Sequence, residues 1–419
     1  MNQVATIVGQ GYVGLPLAQE ATKSGWKVNG FDVSQKVVDG LNSGVSHIDD
    51  LSDSDIQEML QNGYSATTSA AAISESDVVV ICVPTPLGEA GSPDLSYIES
   101  ASRTVGQNLS ANTTVILEST TYPGTTQEVC LPILEQESGL KLDSEMYLAF
   151  SPERVDPGRK DFGIKNTPKL VGGVTPQSTK LASVFYSAFI DDVVEMSGPK
   201  EAETAKLLEN TFRHVNIALV NEMAKVCHEL DIDIWEVIRG AATKPFGYMK
   251  FTPGPGVGGH CIPIDPNYLS YEVRRNLGYP LRFVELAQEI NNSMPVYVAT
   301  RVAEQLNDHA TATKGAKVLL LGVTYKKDIA DQRESPALPL AKELARRGAQ
   351  VSYIDPYVET WNFGGDDITS EKDWEAAIKS SDAVVLLQHH KEFDVEAISA
   401  ASSAFLDTTG TVSDVRKRL

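Results

Sequence analysis

Through the first 195 residues, short apolar runs alternate with stretches of helical length. These runs lie at residues 6–8, 27–31, 78–83, 114–117 and 146–150. That is the pattern of strands covered on both faces of a parallel sheet. Helix-length spacers between them make βαβ units and predict a doubly wound domain. From Glu201 to Leu230 the pattern changes. No Pro or Gly occurs, and apolar side chains recur at Leu208, Phe212, Val215, Leu219, Met223, Val226 and Leu230. The spacing predicts one amphipathic helix of about 30 residues, about 45 Å long at 1.5 Å per residue. A helix of that length bridges domains or packs in a dimer. A loop rich in Gly and Pro follows at residues 244–266, then a helical stretch at 281–307. Apolar runs resume at 317–322, 351–354, 383–387 and 404–406. The expected fold is therefore α/β, with two doubly wound domains joined by a helical connector that holds one long central helix. The expected boundaries are residues 1–200, 201–310 and 311–419.

Composition narrows the partners. The chain has 419 residues, 42% hydrophobic and 22% charged, an ordinary globular mix. Its formal net charge of −20 repels phosphate backbones and anionic lipid surfaces, so neither nucleic acid nor a membrane surface is an expected partner. Four widely spaced cysteines form no disulfide framework and suit a reducing compartment. No run of 18 apolar residues occurs and no basic leader precedes the first strand, so the expected location is the cytoplasm.

Gly9-Gln10-Gly11-Tyr12-Val13-Gly14 follows the first run. Glycines at this spacing allow a tight strand-to-helix turn and let backbone N–H groups approach a pyrophosphate. Asp32 lies 18 residues after Gly14, at the end of the second run. A carboxylate there accepts from both ribose hydroxyls and repels a 2′-phosphate, which points to NAD rather than NADP. The first domain is thus Rossmann-like.

Cys261 sits in Gly256-Val257-Gly258-Gly259-His260-Cys261-Ile262-Pro263-Ile264-Asp265-Pro266. Cys82, Cys130 and Cys227 lie among apolar neighbours and read as small hydrophobes. Small residues around Cys261 leave its sulfur accessible, with His260 and Asp265 close in sequence. From spacing alone it is a nucleophile, a spare loop thiol or a metal ligand; it lacks structural-zinc spacing, and no metal is expected. Lys206 and Asn210 lie one turn apart on the long helix and can donate to a developing oxyanion, or can form an ordinary solvated face. Two polar stretches, 118–125 and 151–154, follow strand ends, where ligands bind in open α/β sheets. In the second lobe, Gly322-Val323-Thr324-Tyr325-Lys326-Lys327-Asp328 forms the first turn without the glycine fingerprint. With Arg333 it suits a diphosphate or is a charged surface turn.

The order of these motifs resembles the nucleotide-sugar 6-dehydrogenases, the family of UDP-glucose, GDP-mannose and UDP-N-acetylhexosamine dehydrogenases. The resemblance runs essentially end to end. It rests on GQGYVGLP at 9–16, CVPTP at 82–86, ESTTYPGTT at 118–126 and SPERVDPG at 151–158. It continues through AKLLEN at 205–210, GVGGHCIPIDP at 256–266 and the KKD…RESP block at 326–336. Residues 151–158, 241–247 and 260–266 most resemble the N-acetylhexosamine branch. The family likeness implies a four-electron oxidation of a sugar hydroxymethyl through a thiohemiacetal and a thioester on Cys261. It implies that Lys206 and Asn210 stabilise the oxyanion, Asp265 lies near the nucleophile, and Thr120 and Glu153 handle water. For NAD it implies Gly9, Gly11, Tyr12, Val13, Gly14, Asp32, Lys36, Pro84, Thr85 and Thr120. For a UDP-sugar it implies Glu153, Arg154, Lys206, Asn210, Lys244, Phe246, Gly258, Lys326 and Arg333, in a homodimer or higher homo-oligomer. Ile264 stands where the UDP-glucose branch has Lys, and the second acidic residue of that branch's strand-end loop finds its nearest counterpart in Asp156. UDP-glucose is the alternative substrate. A two-electron hydroxyacid dehydrogenase, or an NAD-binding regulatory protein without chemistry, would have no need of Cys261.

Overall fold

A computed structural model describes residues 3–88, 92–155, 161–259 and 262–419. Asp156, His260 and Cys261 lie outside the described residues. The chain divides into two compact units. One comprises Met1–Glu209 with Asn267–Tyr279, the other Asn210–Pro266 with Pro280–Leu419.

The first unit holds an eight-stranded sheet. In chain order its strands are β1 (Val4–Val8), β2 (Lys27–Phe31), β3 (Tyr64–Thr67), β4 (Val78–Ile81), β5 (Thr113–Leu117), β6 (Met146–Phe150), β7 (Lys169–Gly173) and β8 (Val193–Glu195). Their spatial order is β3-β2-β1-β4-β5-β6-β7-β8, the doubly wound arrangement expected from the apolar runs. Alternate side chains enter two cores: Ala5, Ile7, Val28 and Val80 pack on one face, and Val8, Val79, Ile81, Val115 and Leu117 on the other. All paired neighbours are parallel except β6 and β7. The reversal was not predicted by the hydrophobic pattern, and it matters below. It brings the first residue of β7 to the carboxyl end of the parallel strands.

The second unit contains β9 (Lys317–Leu321), β10 (Gln350–Ile354), a hairpin of β11 (Thr360–Phe363) and β12 (Asp366–Thr369), β13 (Ala383–Leu386) and β14 (Phe405–Asp407). Four strands form a parallel sheet ordered β10-β9-β13-β14. The helix Arg282–Asp308 lays Met294, Val298, Val302 and Leu306 on one face of it, and Phe393, Val395 and Ile398 cover the other.

The long helix runs Pro199–Glu229. Its apolar stripe is its exposed side: Leu208, Phe212, Leu219, Met223 and Val226 all face outward. Its buried residues include five polar ones, Glu203, Lys206, Asn210, His214 and Asn221. Within the second unit, the last two belong to a chain of amides. The Gly254 N–H donates to Asn221 Oδ1 (3.0 Å). This backbone donor fixes the Asn221 amide, whose Nδ2 donates to Asn291 Oδ1 (2.9 Å). Asn291 Nδ2 then faces His214 Nδ1 (3.4 Å), making that nitrogen the acceptor and leaving the imidazole proton on Nε2. Nε2 is buried and meets no hydrogen-bond partner among the described residues. Burial pulls the His214 pKa down to about 4. The unfolded chain therefore binds a proton more readily between pH 6.5 and 4, and stability is lost as pH falls through that window. Lowering pH from 7 to 4.5 should cost about 2 to 3 kcal/mol from this residue, read as a fall in melting temperature. A His214→Gln variant should lose that part of the slope.

Candidate active site

In the first unit, β1 leads through Gly9–Gly14 into the helix Gly14–Lys23. Gly9 adopts φ +93°, where a Cβ would meet the Cys82 carbonyl at 2.5 Å. A Cβ on Gly14 would sit 1.9 Å from the Gly9 oxygen, so only glycine lets this helix press against the strand. Gly11 differs: a Cβ there would meet nothing within 4 Å. The turn is closed behind and open in front, as a diphosphate cradle requires. Tyr12 and Val13 pack partly against the core behind it. Asp32 accepts from the N–H groups of Gln10 (2.9 Å) and Ser34 (2.9 Å), which fixes its carboxylate beside the turn. These residues fit the pyrophosphate and ribose of NAD. Lys36 is exposed on the helix that Ser34 caps. Thr85 is buried, its carbonyl accepting from the Tyr268 hydroxyl, and Pro84 beside it is exposed.

Strand register assembles a second group in this unit. Ile81 pairs with Leu117, and Leu117 with Phe150, so Cys82, Glu118 and Ser151 follow side by side. The antiparallel pairs Phe150–Gly172 and Ala149–Gly173, continued outward, set Glu153 opposite Lys169. The side chains follow this placement. Lys169 forms an ion pair with Glu118 and lies 3.6 Å from Glu153 Oε2. Cys82 Sγ (3.6 Å) and the Tyr186 hydroxyl (3.4 Å) both donate to Glu118. Glu118 is 1% exposed and Lys169 4%. Burial raises the Glu153 pKa, opposed by the Val155 N–H, Lys206 and Arg154. Burial pulls Lys169 down to about 7.

Arg154 forks onto Glu209 of the long helix (2.7 Å) and donates to the Pro168 carbonyl (2.6 Å). Glu203, one turn before Lys206, accepts from the N–H groups of Gly124 (2.6 Å) and Thr126 (3.0 Å) and from the Thr126 hydroxyl (2.6 Å). It latches the loop carrying half-buried Thr120 to the helix carrying buried Lys206. Lys169 and Glu203 were missed in the sequence, and Glu118, within the polar stretch 118–125, was given no role of its own. Lys169 and Glu118 each stand at one end of an apolar run and Glu203 on a helix, which is no signal without the strand register.

In the second unit, Asn210 Nδ2 donates to Asp265 Oδ2 (2.5 Å), both side chains buried. The structure thus brings together two of the expected site residues, one from the long helix and one from the nucleophile loop. The Gly259 N–H donates to the Arg333 carbonyl (3.2 Å), and a Cβ on Gly258 would fall 2.6 Å from Tyr325 Cβ. Lys244 and Phe246 are exposed, with the Lys244 ammonium 5.0 Å above the Phe246 ring. Arg333 forks onto Asp331, with contacts of 2.6–3.0 Å. Lys326 is half-buried.

The second lobe repeats the Asp32 geometry. Asp355, ending its second strand, accepts from the N–H groups of Val323 (2.7 Å) and Tyr357 (2.8 Å). Its carboxylate, however, is wholly buried against His390 Nε2 (3.2 Å). The Asp328 N–H donates to His390 Nδ1 (2.9 Å), which puts the ring proton on Nε2, facing Asp355. A carboxylate held in this way is withdrawn from a ribose, so this lobe lacks the dinucleotide device of the first. No group of His, Cys, Asp and Glu side chains fit for a metal occurs among the described residues. Among these, no helix is long and apolar enough to cross a membrane.

A glycine-turn cradle with its ribose carboxylate, and a second doubly wound lobe without one, define an NAD-dependent dehydrogenase with a separate nucleotide-binding domain. The profiles of three domains of one family match in order: the NAD binding domain at residues 3–190, the central domain at 200–293 and the UDP binding domain at 319–419. The chain belongs to the UDP-glucose/GDP-mannose dehydrogenase family, and it is an NAD-dependent nucleotide-sugar dehydrogenase. It is 36% identical over 353 residues to a UDP-N-acetyl-D-glucosamine 6-dehydrogenase of Pseudomonas aeruginosa, covering 84% of this chain and 82% of that one. The solved structure of a UDP-D-ManNAc dehydrogenase from Pyrococcus horikoshii superposes with a TM-score of 0.88 at 33% identity, covering 97% of this chain and 94% of the other. That of a UDP-glucose dehydrogenase from Pyrobaculum islandicum also gives 0.88, at 26% identity, covering 100% and 96%. The backbone alone does not choose among these sugars.

Proposed function

We propose that the chain oxidises the C6 hydroxymethyl of a UDP-N-acetylhexosamine, UDP-N-acetylglucosamine or UDP-N-acetylmannosamine, to the uronic acid. The buried Asn210–Asp265 contact at the foot of the nucleophile loop carries this reading. Within the second unit it fixes the residue four positions after Cys261 to Asn210 of the long helix. Support for the N-acetylhexosamine comes from the higher identity to relatives named for those sugars. Buried Ile264 adds to it, standing where the glucose branch has Lys.

Residues 1–200 hold NAD, residues 201–310 supply the nucleophile loop and the long helix, and residues 311–419 hold the UDP end through Lys326 and Arg333. NAD, when bound, accepts the hydride at each of two oxidations. The chain's own groups do the rest. The Cys261 thiolate adds to the C6 aldehyde, and the Lys206 and Asn210 donors stabilise the oxyanion. After the second oxidation, water attacks the thioester with Glu153 as base, the C–S bond breaks, and the uronate leaves. The exposed apolar stripe of the long helix pairs two copies, since a monomer leaves Leu208, Phe212, Leu219, Met223 and Val226 in water. We place the enzyme in the cytoplasm, where its free Cys82, Cys130 and Cys227 stay reduced.

The test is NADH production with UDP-glucose, UDP-galactose, UDP-N-acetylglucosamine and UDP-N-acetylmannosamine. One of the last two should be turned over best, with two NADH per sugar. A ratio near one with free aldehyde would remove the thioester, and preference for UDP-glucose would replace the substrate. NADP should be used at least about 100-fold less efficiently than NAD, because its phosphate meets the Asp32 carboxylate. Equal kcat/KM would show that Asp32 does not meet the ribose.

A further inference from the structure

Lys169 is a buried cation with no place in the chemistry above, and the fold goes to some length to deliver it. Only because β7 runs against β6 does its first residue reach the carboxyl edge of β4, β5 and β6. There it stands between two carboxylates, in an ion pair with Glu118 and 3.6 Å from Glu153. Its remaining neighbours are the Tyr186 ring (5.1 Å from Nζ to the centroid), Cys82 and the charge of Lys206. Glu118 is saturated by Lys169, Cys82 and Tyr186. Glu153 spends its other oxygen on the Val155 N–H.

We propose that Lys169, anchored on Glu118, is a positioning residue that holds the Glu153 carboxylate ionised and oriented as the base for thioester hydrolysis. This rests on the covalent Cys261 reading given above. A base buried this deeply tends toward its neutral acid, which takes no proton from water. An ammonium beside it opposes that tendency, and Glu118 keeps the ammonium from shedding its own charge into the apolar interior. In the step itself, the water oxygen bonds to the thioester carbon and its proton passes to Glu153. The C–S bond then breaks with its electron pair on sulfur. No oxidant is needed, and Lys169 forms no bond to the sugar.

Removing Lys169 alone would leave Glu118 buried and unpaired and would threaten the fold. The test therefore uses the neutral pair Lys169→Met with Glu118→Gln, whose folding is checked by thermal melting. In this variant the pre-steady-state burst of NADH should stay within about threefold of wild type. Steady-state kcat should fall about 10- to 100-fold, and the acid limb of its pH profile should move to higher pH. Sugar should accumulate on Cys261 and be trapped there by acid. In a Glu153→Gln background the neutral pair should cost nothing further, because the residue it acts through is gone. Equal losses in burst and steady state, additive losses with Glu153→Gln, or a folded variant with wild-type kcat and pH profile would overturn the proposal. So would a neutral pair that cannot fold, since the ion pair would then serve the fold rather than the base. Glu153→Gln that traps no sugar on Cys261 would instead refute the covalent reading itself. If it traps sugar and the neutral pair does not, only the role of Lys169 falls.

Discussion

A Cys261→Ser enzyme is expected to fold, to bind NAD and to lose at least about 10³ in steady-state turnover. In the proposed reaction the residue attacks an aldehyde and later leaves a carbonyl. A thiolate forms near neutral pH and departs readily, whereas a serine alkoxide does neither. The change is almost isosteric and lies far in sequence from the glycine turn at Gly9–Gly14, so cofactor affinity should be kept. A loss of 10³ corresponds to about 4 kcal/mol of transition-state stabilisation. Titration of NAD binding separates this from unfolding. Acid trapping in the unsubstituted enzyme should find sugar on Cys261 and none on Cys82, Cys130 or Cys227. Burial already pushes the Cys82 and Cys130 thiols up to about 12, so neither forms a thiolate at neutral pH. Near-normal NADH production by the serine variant would return Cys261 to an ordinary loop thiol.

The second large effect is expected at Lys206. Its side chain is buried, and its charge acts on both Glu153 and Lys169. Lys206→Ala should lower kcat by about 10²–10³, the range for removing one oxyanion donor, with a smaller change in KM. Losing this cation also removes a force that holds the Glu153 pKa down. The base then keeps its proton to higher pH, and the acid limb of kcat should move upward. Lys206→Arg keeps the charge, so it should keep the limb in place even where turnover falls. An unchanged kcat in Lys206→Ala would exclude the oxyanion role.

Much of this was legible in the chain. Strands buried on both faces announce themselves as short runs rich in apolar residues, so β1, β2, β4, β5, β6 and β9 appear close to their observed bounds. The glycine turn and Asp32 are equally plain, since Gly9 and Gly14 answer steric demands that the structure repeats. The long helix was predicted within two residues, but its facing was not. Its apolar stripe drew attention, while Glu203, Lys206, Asn210, His214 and Asn221 are the polar residues it buries. Hydrophobic periodicity finds apolar faces only, and a buried polar stripe has the same 3.6-residue period without the label. The direction of β7 was illegible for another reason. Lys169-Leu170-Val171-Gly172-Gly173 reads alike whichever way its neighbours run, and only tertiary pairing decides that. Lys169, whose place depends on that pairing, was lost with it, and with it the role of Glu118 as its partner.

The imidazole of His390, pressed onto Asp355, bears on the order of events in the reaction proposed above. With that carboxylate spoken for, the proposal has one ribose clasp for a pyridine nucleotide among the described residues, at Asp32. A four-electron oxidation needs two such nucleotides in succession, so the first must depart and a fresh one arrive while a half-oxidised sugar waits. A free aldehyde would escape or hydrate during that interval. A sugar tied to sulfur cannot, so in the proposed reaction the covalent bond would serve as a tether across cofactor exchange as well as a chemical activation.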